Sequence, residues 1–179
     1  MTNDAVATIS MLSADDIAEH AGALGVLMHA CVHAGASIGY VLPYSAADGV
    51  AFWLDKVRPG VQAGSRVLLV ARRNARIVGS VQLDFDTPPN QPHRAEVRKL
   101  LVDPAWRRQG IAQALMAELE RHARRLGRGL LTLDTRSGDM AEPLYAALGY
   151  TVVGAIPGYC VDALDASRLD ATTIMFKQL

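Results

Sequence analysis

Six residues near the middle of the chain have types and spacing that suit the binding of an anion. They read Arg107-Arg108-Gln109-Gly110-Ile111-Ala112, and they join a Val- and Leu-rich strand ending at Val102 to an amphipathic helix. The first amides of a helix have no intrahelical acceptor, and the helix dipole adds about half a positive charge there. Gly110 and Ala112 leave room for a phosphate against the backbone. From these six residues alone, a phosphate site and a tight connection with solvated arginines are both open interpretations.

The same turn follows Val-Asp-Pro, and it fits neither of the common nucleotide loops, G-x-x-x-x-G-K-[ST] and G-x-G-x-x-G. R-x-x-G-x-A in this position, with A-x-x-L-Y-x-x-x-G-Y from Ala141 to Tyr150, resembles the GNAT acetyltransferase family. The resemblance implies that residues 107–112 hold the pyrophosphate of acetyl-CoA as co-substrate. It also implies that the main chain of Leu101 and Val102 pairs with the pantetheine arm.

Further short motifs resemble one branch of that family, the tabtoxin-resistance enzymes. They are Gly35-Ala36-Ser37, Arg94-Ala95-Glu96-Val97, Gly129-Leu130-Leu131, Leu133-Asp134-Thr135 and Pro157-Gly158-Tyr159-Cys160. The branch implies an N-acetyltransferase acting on a primary amine of a small amino-acid-like antibiotic or toxin, hence antibiotic resistance. A protein lysine or N-terminal acetyltransferase and a non-catalytic acyl-CoA-binding module are the alternatives.

Two acidic residues are candidates for binding and deprotonating the amine, which has a pKa of about 8 for an α-amine and about 10.4 for a lysine. Glu96 lies in the strand before the turn, and Asp134 ends the strand LLTLDT. The resemblance implies that these strands are neighbours that splay apart, which would place both acids in one pocket. Burial and mutual repulsion would then raise the pKa of one, as a general base requires. Alternatively, Glu96 pairs with Arg98 or Lys99 and Asp134 caps the next turn.

Three more side chains receive roles from the resemblance. Tyr145 is expected near the thioester, where it contacts the cofactor and protonates the departing thiolate; a core aromatic is the alternative. Ser37 and Tyr40, in the loop after the first helix, are candidate substrate contacts. A backbone amide in the splayed part of the strand 95–102 is expected to stabilise the oxyanion.

The hydrophobic periodicity predicts the elements that carry these residues. We expect an edge strand over 5–11, helices over 14–32 (with a kink or break favoured by Gly22 and Gly25) and 45–57, and strands over 66–72, 77–85 and 95–102. Next come a helix over 111–125, a strand over 130–135, a helix over 140–148 and strands over 150–153 and 172–176. Arg58-Pro59-Gly60 should end the second helix, and Pro157–Asp170 should form a loop. The order predicts an α/β fold in one domain over residues 1–179, and it matches the GNAT fold that the resemblance implies. It has a single mixed sheet of about six to seven strands flanked by about four helices.

Composition excludes several other classes of function. The 18 basic and 18 acidic residues balance, so nothing favours nucleic acid or an anionic membrane as a partner. Two cysteines, no signal-peptide pattern and no membrane-spanning apolar run indicate a reducing cytoplasm. His29 and His33 are one helical turn apart, but no third ligand follows by spacing, so we expect no metal. The oligomeric state is left open, with a homodimer as one alternative.

Overall fold

The computed structural model describes residues 7–179, and within that range it contains one mixed seven-stranded sheet in the order β1-β2-β3-β4-β5-β7-β6. The strands are β1 Thr8–Leu12, β2 Arg66–Arg73, β3 Arg76–Asp84, β4 Arg94–Val102, β5 Leu130–Arg136, β6 Thr151–Val161 and β7 Leu169–Gln178. The helices are α1 Ala14–Glu19, α2 Ala21–His33, α3 Ala46–Phe52, α4 Arg58–Gln62, α5 Ile111–Arg125 and α6 Ala141–Ala147.

Helices cover both faces of the sheet, as the sequence predicts. Alternation along β2 shows the division, because Leu69 and Ala71 pack with α5 whereas Leu68 and Val70 pack with α2 and α3. All four side chains are fully buried. The sheet therefore separates an apolar core on the α5 side from a second one on the α2 and α3 side. The C-terminal strands of the sheet extend beyond this second core.

Local sequence signals set several of the element ends. Ser13 and Asp16 form a capping box at the start of α1. Asn74 and Ala75 both have positive φ, which gives a tight hairpin between β2 and β3. The described part of the predicted first strand is β1, at the edge of the sheet beside β2. Ala5 and Val6, which that prediction also included, lie outside the described residues.

Two helix boundaries differ from the prediction. The first predicted helix breaks at His20 and not at its glycines, since Gly25 packs directly against Gly49 of α3. A Cβ on Gly49 would lie 2.7 Å from the Gly25 carbonyl oxygen. The second predicted helix does not end at Arg58-Pro59-Gly60. One π-helical turn, Trp53–Val57, leads into α4, and proline is tolerated there because it occupies the first turn.

The predicted loop Pro157–Asp170 is wrong in extent. Residues up to Val161 belong to β6, and β7 already begins at Leu169, so only 162–168 connect them. The pairing of β6 with β7 is irregular between Ile156 and Cys160, where Pro157 falls. Proline is compatible with an edge strand at a bulge, so it did not end the strand here. Across residues 7–179 the structure contains no helix long and apolar enough to cross a membrane.

Candidate active site

The turn before α5 presents unpaired backbone amides to solvent. Residues 107–110 are exposed, and Arg108 and Gly110 have φ of 63° and 77°. Gly110 begins α5 without a side-chain cap, and the first turn of the helix carries no acidic residue. Within the described part of the chain, no carbonyl or side chain accepts a hydrogen bond from the amides of residues 107–113. The geometry meets the requirement of an anion site at a helix N-terminus.

Contacts on either side hold this turn in place. Asp103 accepts a hydrogen bond from the Ala105 amide at 3.0 Å and forms an ion pair with Arg76 at 3.3 Å. Arg73 donates to the Gln109 side chain at 3.1 Å, and its guanidinium lies 5.6 Å from the centre of the Trp106 ring. The side chain of Gln109 is therefore engaged, while its backbone amide has no acceptor within residues 7–179.

Strands β4 and β5 splay apart beside the turn, as the sequence predicts. They pair in parallel at only three positions, and the last of these joins Glu96 to Thr132. Beyond it, β4 contains a bulge at Lys99, whose φ is 51°, and its register against β3 shifts there. A β-bulge changes the direction in which backbone groups point next to a cleft. The bulge at Lys99 therefore supplies candidate amides for the predicted oxyanion site.

Glu96 and Asp134 both lie on the face of the sheet opposite Ala95, Val97 and Leu133, which are buried in the core. Glu96 is 31% exposed and pairs with Arg98 at 3.0 Å, which is the alternative that the sequence left open. Asp134 is exposed and accepts a hydrogen bond from the Thr172 hydroxyl at 3.2 Å. The burial expected for one of the two acids is therefore not found, because Glu96 is partly exposed and Asp134 is exposed.

Arg98 and Lys99 bring positive charge to the same end of β4. Burial lowers the pKa of Arg98. The hydrogen bond to Glu96 and the negative charges of Glu96, Asp84 and Asp134 outweigh this effect, so the net result is a raised pKa. Burial lowers the pKa of Lys99, whose ammonium donates to the Ile38 carbonyl at 2.7 Å. Sequence reasoning missed this bond. Nothing in the local pattern predicts that Lys99 has a left-handed backbone conformation or that its side chain reaches the loop after the first helix.

Tyr145 lies in α6 and is buried, with 6% of its surface exposed. Its ring packs edge-to-face on that of Tyr150 at 5.7 Å. Burial raises the pKa of Tyr145, and the charges of Asp134 and Asp139 add to the effect. Tyr145 therefore belongs to the core and also lies within electrostatic reach of Asp134.

The end of β4 carries the two residues that were predicted to meet the pantetheine arm. Leu101 is buried, and the Val102 carbonyl accepts from the Arg107 guanidinium at 3.4 Å. Cys31 of α2 donates to the same carbonyl at 3.5 Å, and burial raises the pKa of its thiol to about 11. Cys31 is thus a neutral packing residue under the strand end.

Ser37 and Tyr40 lie in the loop between α2 and α3, which forms one wall beside the cleft. The Ser37 hydroxyl lies 3.6 Å from the Cys160 sulfur, and the Leu42 amide donates to Ala163 at 3.0 Å. Tyr40 packs on Tyr44 and Phe52 with ring centroids 4.8 Å and 5.7 Å away. Residues 35–44 and 160–168 therefore form one continuous wall, which we call the acceptor wall.

An ion network fixes the second half of that wall. Arg136 at the end of β5 pairs with Asp139 at 3.1 Å, Asp162 at 3.3 Å and Asp170 at 3.5 Å. Arg168 pairs with Asp162 as well. Asp162 and Asp170, both within the predicted loop, therefore take part in ion pairs, and the third acid there, Asp165, accepts hydrogen bonds from the Ser167 amide and hydroxyl.

Other candidates for chemistry lie apart from this cleft. His33 approaches the Tyr44 carbonyl at 2.8 Å, and its ring stacks on that of His29 at 4.0 Å. Among residues 7–179, no three His, Cys, Asp or Glu side chains are placed to share a metal ion. A hollow of 470 Å³ between β1 and α4 includes none of the predicted site residues.

Comparison with known proteins fits this geometry. The model of the Acetyltransferase (GNAT) family matches residues 40–150, which include β4, the turn, α5 and Tyr145. The chain belongs to the GNAT acetyltransferase family. Two curated relatives are human N-acetyltransferase 8, 36% identical over 87 residues, and an uncharacterized N-acetyltransferase of Azospirillum brasilense, 31% identical over 114 residues. The matches cover 48% and 63% of this chain. They cover 38% and 66% of the relatives, so the chain spans less than two thirds of either one.

Solved structures confirm the GNAT fold. Salmonella typhimurium yncA, determined with its cofactor acetyl-CoA, is 22% identical with a TM-score of 0.76 over 98% of this chain and 95% of its own. The ribosomal-protein-alanine N-acetyltransferase of Brucella melitensis is 21% identical, with a TM-score of 0.75 over 96% and 99% of the two chains. An N-acetyltransferase of Staphylococcus aureus gives 0.78 at 16% identity over 97% and 99%.

Proposed function

We propose that the protein transfers an acetyl group from acetyl-CoA to a primary amine of a small molecule. The observation that carries this proposal is the turn at residues 107–110, whose exposed amides have no acceptor among residues 7–179 and lead into an uncapped helix. A diphosphate would accept several hydrogen bonds there and would gain from the helix dipole. The arginines at 107 and 108 add charge on either side.

The remaining cofactor contacts follow from the neighbouring strand. Acetyl-CoA, when bound, supplies a thioester carbonyl that an amine can attack. Leu101 and Val102 would offer main-chain groups to its pantetheine arm along the edge that β4 exposes after leaving β5. A backbone amide at the Lys99 bulge would stabilise negative charge that develops on the carbonyl oxygen.

We assign the two acids to the incoming amine. Glu96 and Asp134 would attract the ammonium, and one of them would take its proton so that the nitrogen lone pair can attack. Glu96 lies at the last paired position of β4 and β5, so it is closest to the point where the strands part. We therefore assign the base to Glu96 and the electrostatic attraction to Asp134, with Arg98 holding Glu96 until the acceptor arrives.

Tyr145 is the proposed partner of the departing sulfur. A thiol has an ordinary pKa of about 8.5, so a tyrosine whose pKa is raised by burial is a weaker acid than the group it would protonate. We therefore assign it a hydrogen bond to the sulfur and not a complete proton transfer. Solvent then supplies the proton to the released thiolate.

The acceptor wall favours a small substrate. Its two halves are joined at Ser37 and Cys160 and at Leu42 and Ala163, so they close one side of the cleft. Ser37 and Tyr40 are the proposed substrate contacts there. An amino-acid-like antibiotic or toxin, and with it a role in resistance, remains a prediction from the sequence motifs. A protein acceptor is the second candidate, because one structural neighbour is a ribosomal-protein-alanine N-acetyltransferase.

A thiol-release assay with acetyl-CoA tests the proposal across three sets of acceptors: amino acids, simple amines and short peptides with free N-termini or lysines. Release with the small amines is the expected result. Release with peptides alone would show a protein acetyltransferase. Tight acetyl-CoA binding by calorimetry without release from any acceptor would indicate a non-catalytic acyl-CoA-binding module.

A further inference from the structure

Lys99 brings a positive charge to the cleft without a negative partner of its own. Its side chain is half-buried, and its ammonium donates to the Ile38 carbonyl at 2.7 Å. The same ammonium lies 5.9 Å from the centre of the Phe52 ring. Within residues 7–179 no carboxylate lies at ion-pair distance from it, although a lysine ammonium has three hydrogens to donate. A partly buried cation with unused donors is stabilised by an anion beside it.

The neighbouring charges on the same face of the sheet already neutralise one another. Arg98 pairs with Glu96 at 3.0 Å and with Asp84 at 3.5 Å. Asp84 pairs in turn with Arg66 at 2.6 Å, so this network contains two cations and two carboxylates. Lys99 lies outside the network and keeps its charge available for a molecule that enters the cleft.

Asp134 is the negative counterpart of Lys99 in this respect. It accepts a hydrogen bond from Thr172, and in the part of the chain that the structure describes it forms no ion pair. The cleft therefore offers one unneutralised carboxylate and one unneutralised ammonium. A ligand that carries both a positive and a negative group complements this arrangement.

The separation of these groups suits a small ligand. Burial lowers the pKa of Lys99, the charge of Arg98 adds to this effect, and the charges of Asp134 and Glu96 oppose it, so all of them lie within electrostatic reach of the ammonium. Glu96 and Lys99 are three positions apart on β4, so their α-carbons are at most about 10 Å apart. One small molecule can therefore present an amine to the acids and an anionic group to Lys99.

Gly39 of the acceptor wall leaves space beside the same ammonium. Its φ is 86°, and a Cβ at this position would lie 3.6 Å from the Lys99 Nζ. Such a Cβ would be in van der Waals contact with the ammonium, so a side chain here would compete with a ligand for the space.

We propose that the acceptor carries a carboxylate as well as its amine, and that Lys99 is the specificity-determining residue that binds this carboxylate. The inference rests on the proposed function, because it names the substrate class of the same site. That class is free amino acids and their analogues, with the ammonium at Glu96 and Asp134 and the carboxylate at Lys99. The carboxylate accepts the hydrogens that Lys99 does not donate to Ile38.

Thiol release with a panel of free amino acids and their carboxamides tests the proposal, because amidation removes the negative charge. Amidation also changes the pKa of the amine, so the decisive quantity is how a variant changes the ratio of kcat/KM for the acid to kcat/KM for the amide. Lys99→Met keeps the length of the side chain and removes its charge. It should lower this ratio about tenfold to a hundredfold, as expected for the loss of a hydrogen bond between charged groups. Lys99→Arg should restore part of the ratio.

The matched control is Lys56→Met, the same change at an exposed lysine of the π-helical turn, and its ratio should equal that of the parent chain. If Lys99 only tied β4 to the acceptor wall, Lys99→Met would lower both kcat/KM values alike. An unchanged ratio in Lys99→Met would therefore overturn the carboxylate site while acetyl transfer to amines still stood. Circular dichroism confirms that each variant is folded.

Calorimetric binding of the same amino acids in the presence of CoA gives a second measurement, which needs no turnover. Binding that weakens at least about tenfold in Lys99→Met would support the carboxylate site even if no acceptor were acetylated, a result that would overturn the proposed function alone. If amino acids neither bind to the parent chain nor release thiol, the carboxylate site is wrong.

Discussion

At the scale of single residues, Glu96 has an ordinary surface ion pair and an unusual location. Its partner Arg98 is 47% exposed, and such exposed pairs contribute little to stability. Its location at the last paired position of two diverging strands is the observation that supports its proposed catalytic role. The residue type and the strand could be read from the sequence. Alternation places Arg98 on the same face as Glu96, but the pairing could not be settled from it because the bulge at Lys99, which interrupts the alternation, is invisible in the pattern.

The first prediction concerns the two acids. Glu96→Gln should lower kcat by roughly 10²- to 10⁴-fold, which is what a general base contributes, because the amide cannot accept the amine proton. Asp134→Asn should act mainly on KM for the acceptor, since it removes attraction for the ammonium. Steady-state kinetics with the best acceptor measures both.

Calorimetric binding of acetyl-CoA should be unchanged in both variants, which separates loss of chemistry from loss of fold. Asp55→Asn, a change at an exposed acid on the helical segment after α3, is the matched control and should behave like the parent chain. Full activity of Glu96→Gln would remove Glu96 from the mechanism.

At the scale of elements, backbone conformation at a few glycines decides where the chain can bind and pack. Gly110 begins α5 in the left-handed region, and a glycine there was recognisable from the motif R-x-x-G-x-A. Gly25 and Gly49 bring α2 and α3 into backbone contact. The sequence suggested only that Gly25 weakens a helix, because close approach depends on a partner more than twenty positions away.

The second prediction tests the turn. Gly110→Val should raise the acetyl-CoA Kd by about tenfold to a hundredfold, the loss expected for one or more hydrogen bonds to a charged group. The Cβ would also occupy the surface that a phosphate approaches. Isothermal titration calorimetry measures the change. Gly64→Val is the matched control, since Gly64 has a similar φ of 71° with open space around it at the far end of β2. A Kd equal to that of the control variant would contradict the assignment.

The third prediction concerns the helix crossing. Gly49→Ala should lower the free energy of unfolding by about 1–3 kcal/mol, because the new methyl would clash with backbone atoms of Gly25. Gly22→Ala lies in the same helix α2 with no atom within 4 Å. It should instead stabilise by about 0.5–1 kcal/mol through helix propensity. Chemical denaturation compares the two, and equal effects would mean that the close approach carries no energetic weight.

At the scale of the whole molecule, the sequence predicted the α/β fold with its helices on both sheet faces. It located both C-terminal strands but made them too short, since β6 has neither the alternation nor the buried run by which strands are recognised. Its side chains are exposed on both faces, so no burial pattern could form. Proline and glycine inside the strand strengthened the appearance of a loop.

The fourth prediction is the response of the whole fold to alkaline pH. Burial raises the pKa of Tyr145 and Tyr150, and it raises that of Tyr44 to about 12. An unfolded tyrosine has a pKa of about 10, so it loses its proton before the folded one does. These groups contribute stability that is fully present below about pH 10 and is lost as pH rises further.

Urea denaturation at about pH 9 and about pH 11 should therefore show a falling free energy of unfolding. Tyr150→Phe should reduce that fall, and it should be well tolerated at pH 9 because the Tyr150 hydroxyl is buried without a partner among residues 7–179. An identical pH dependence in the variant would rule out Tyr150 as a contributor.

The proposed division of labour across the cleft has a consequence for how such a protein changes over time. The anion-binding turn comes from one short contiguous segment, whereas the acceptor wall joins two segments more than a hundred positions apart. Substitutions at 35–44 or 160–168 can therefore alter which acceptor is acetylated while the binding of acetyl-CoA stays unchanged. Mutations in either segment can therefore change the acceptor specificity. A single loop that bound both donor and acceptor would not allow this.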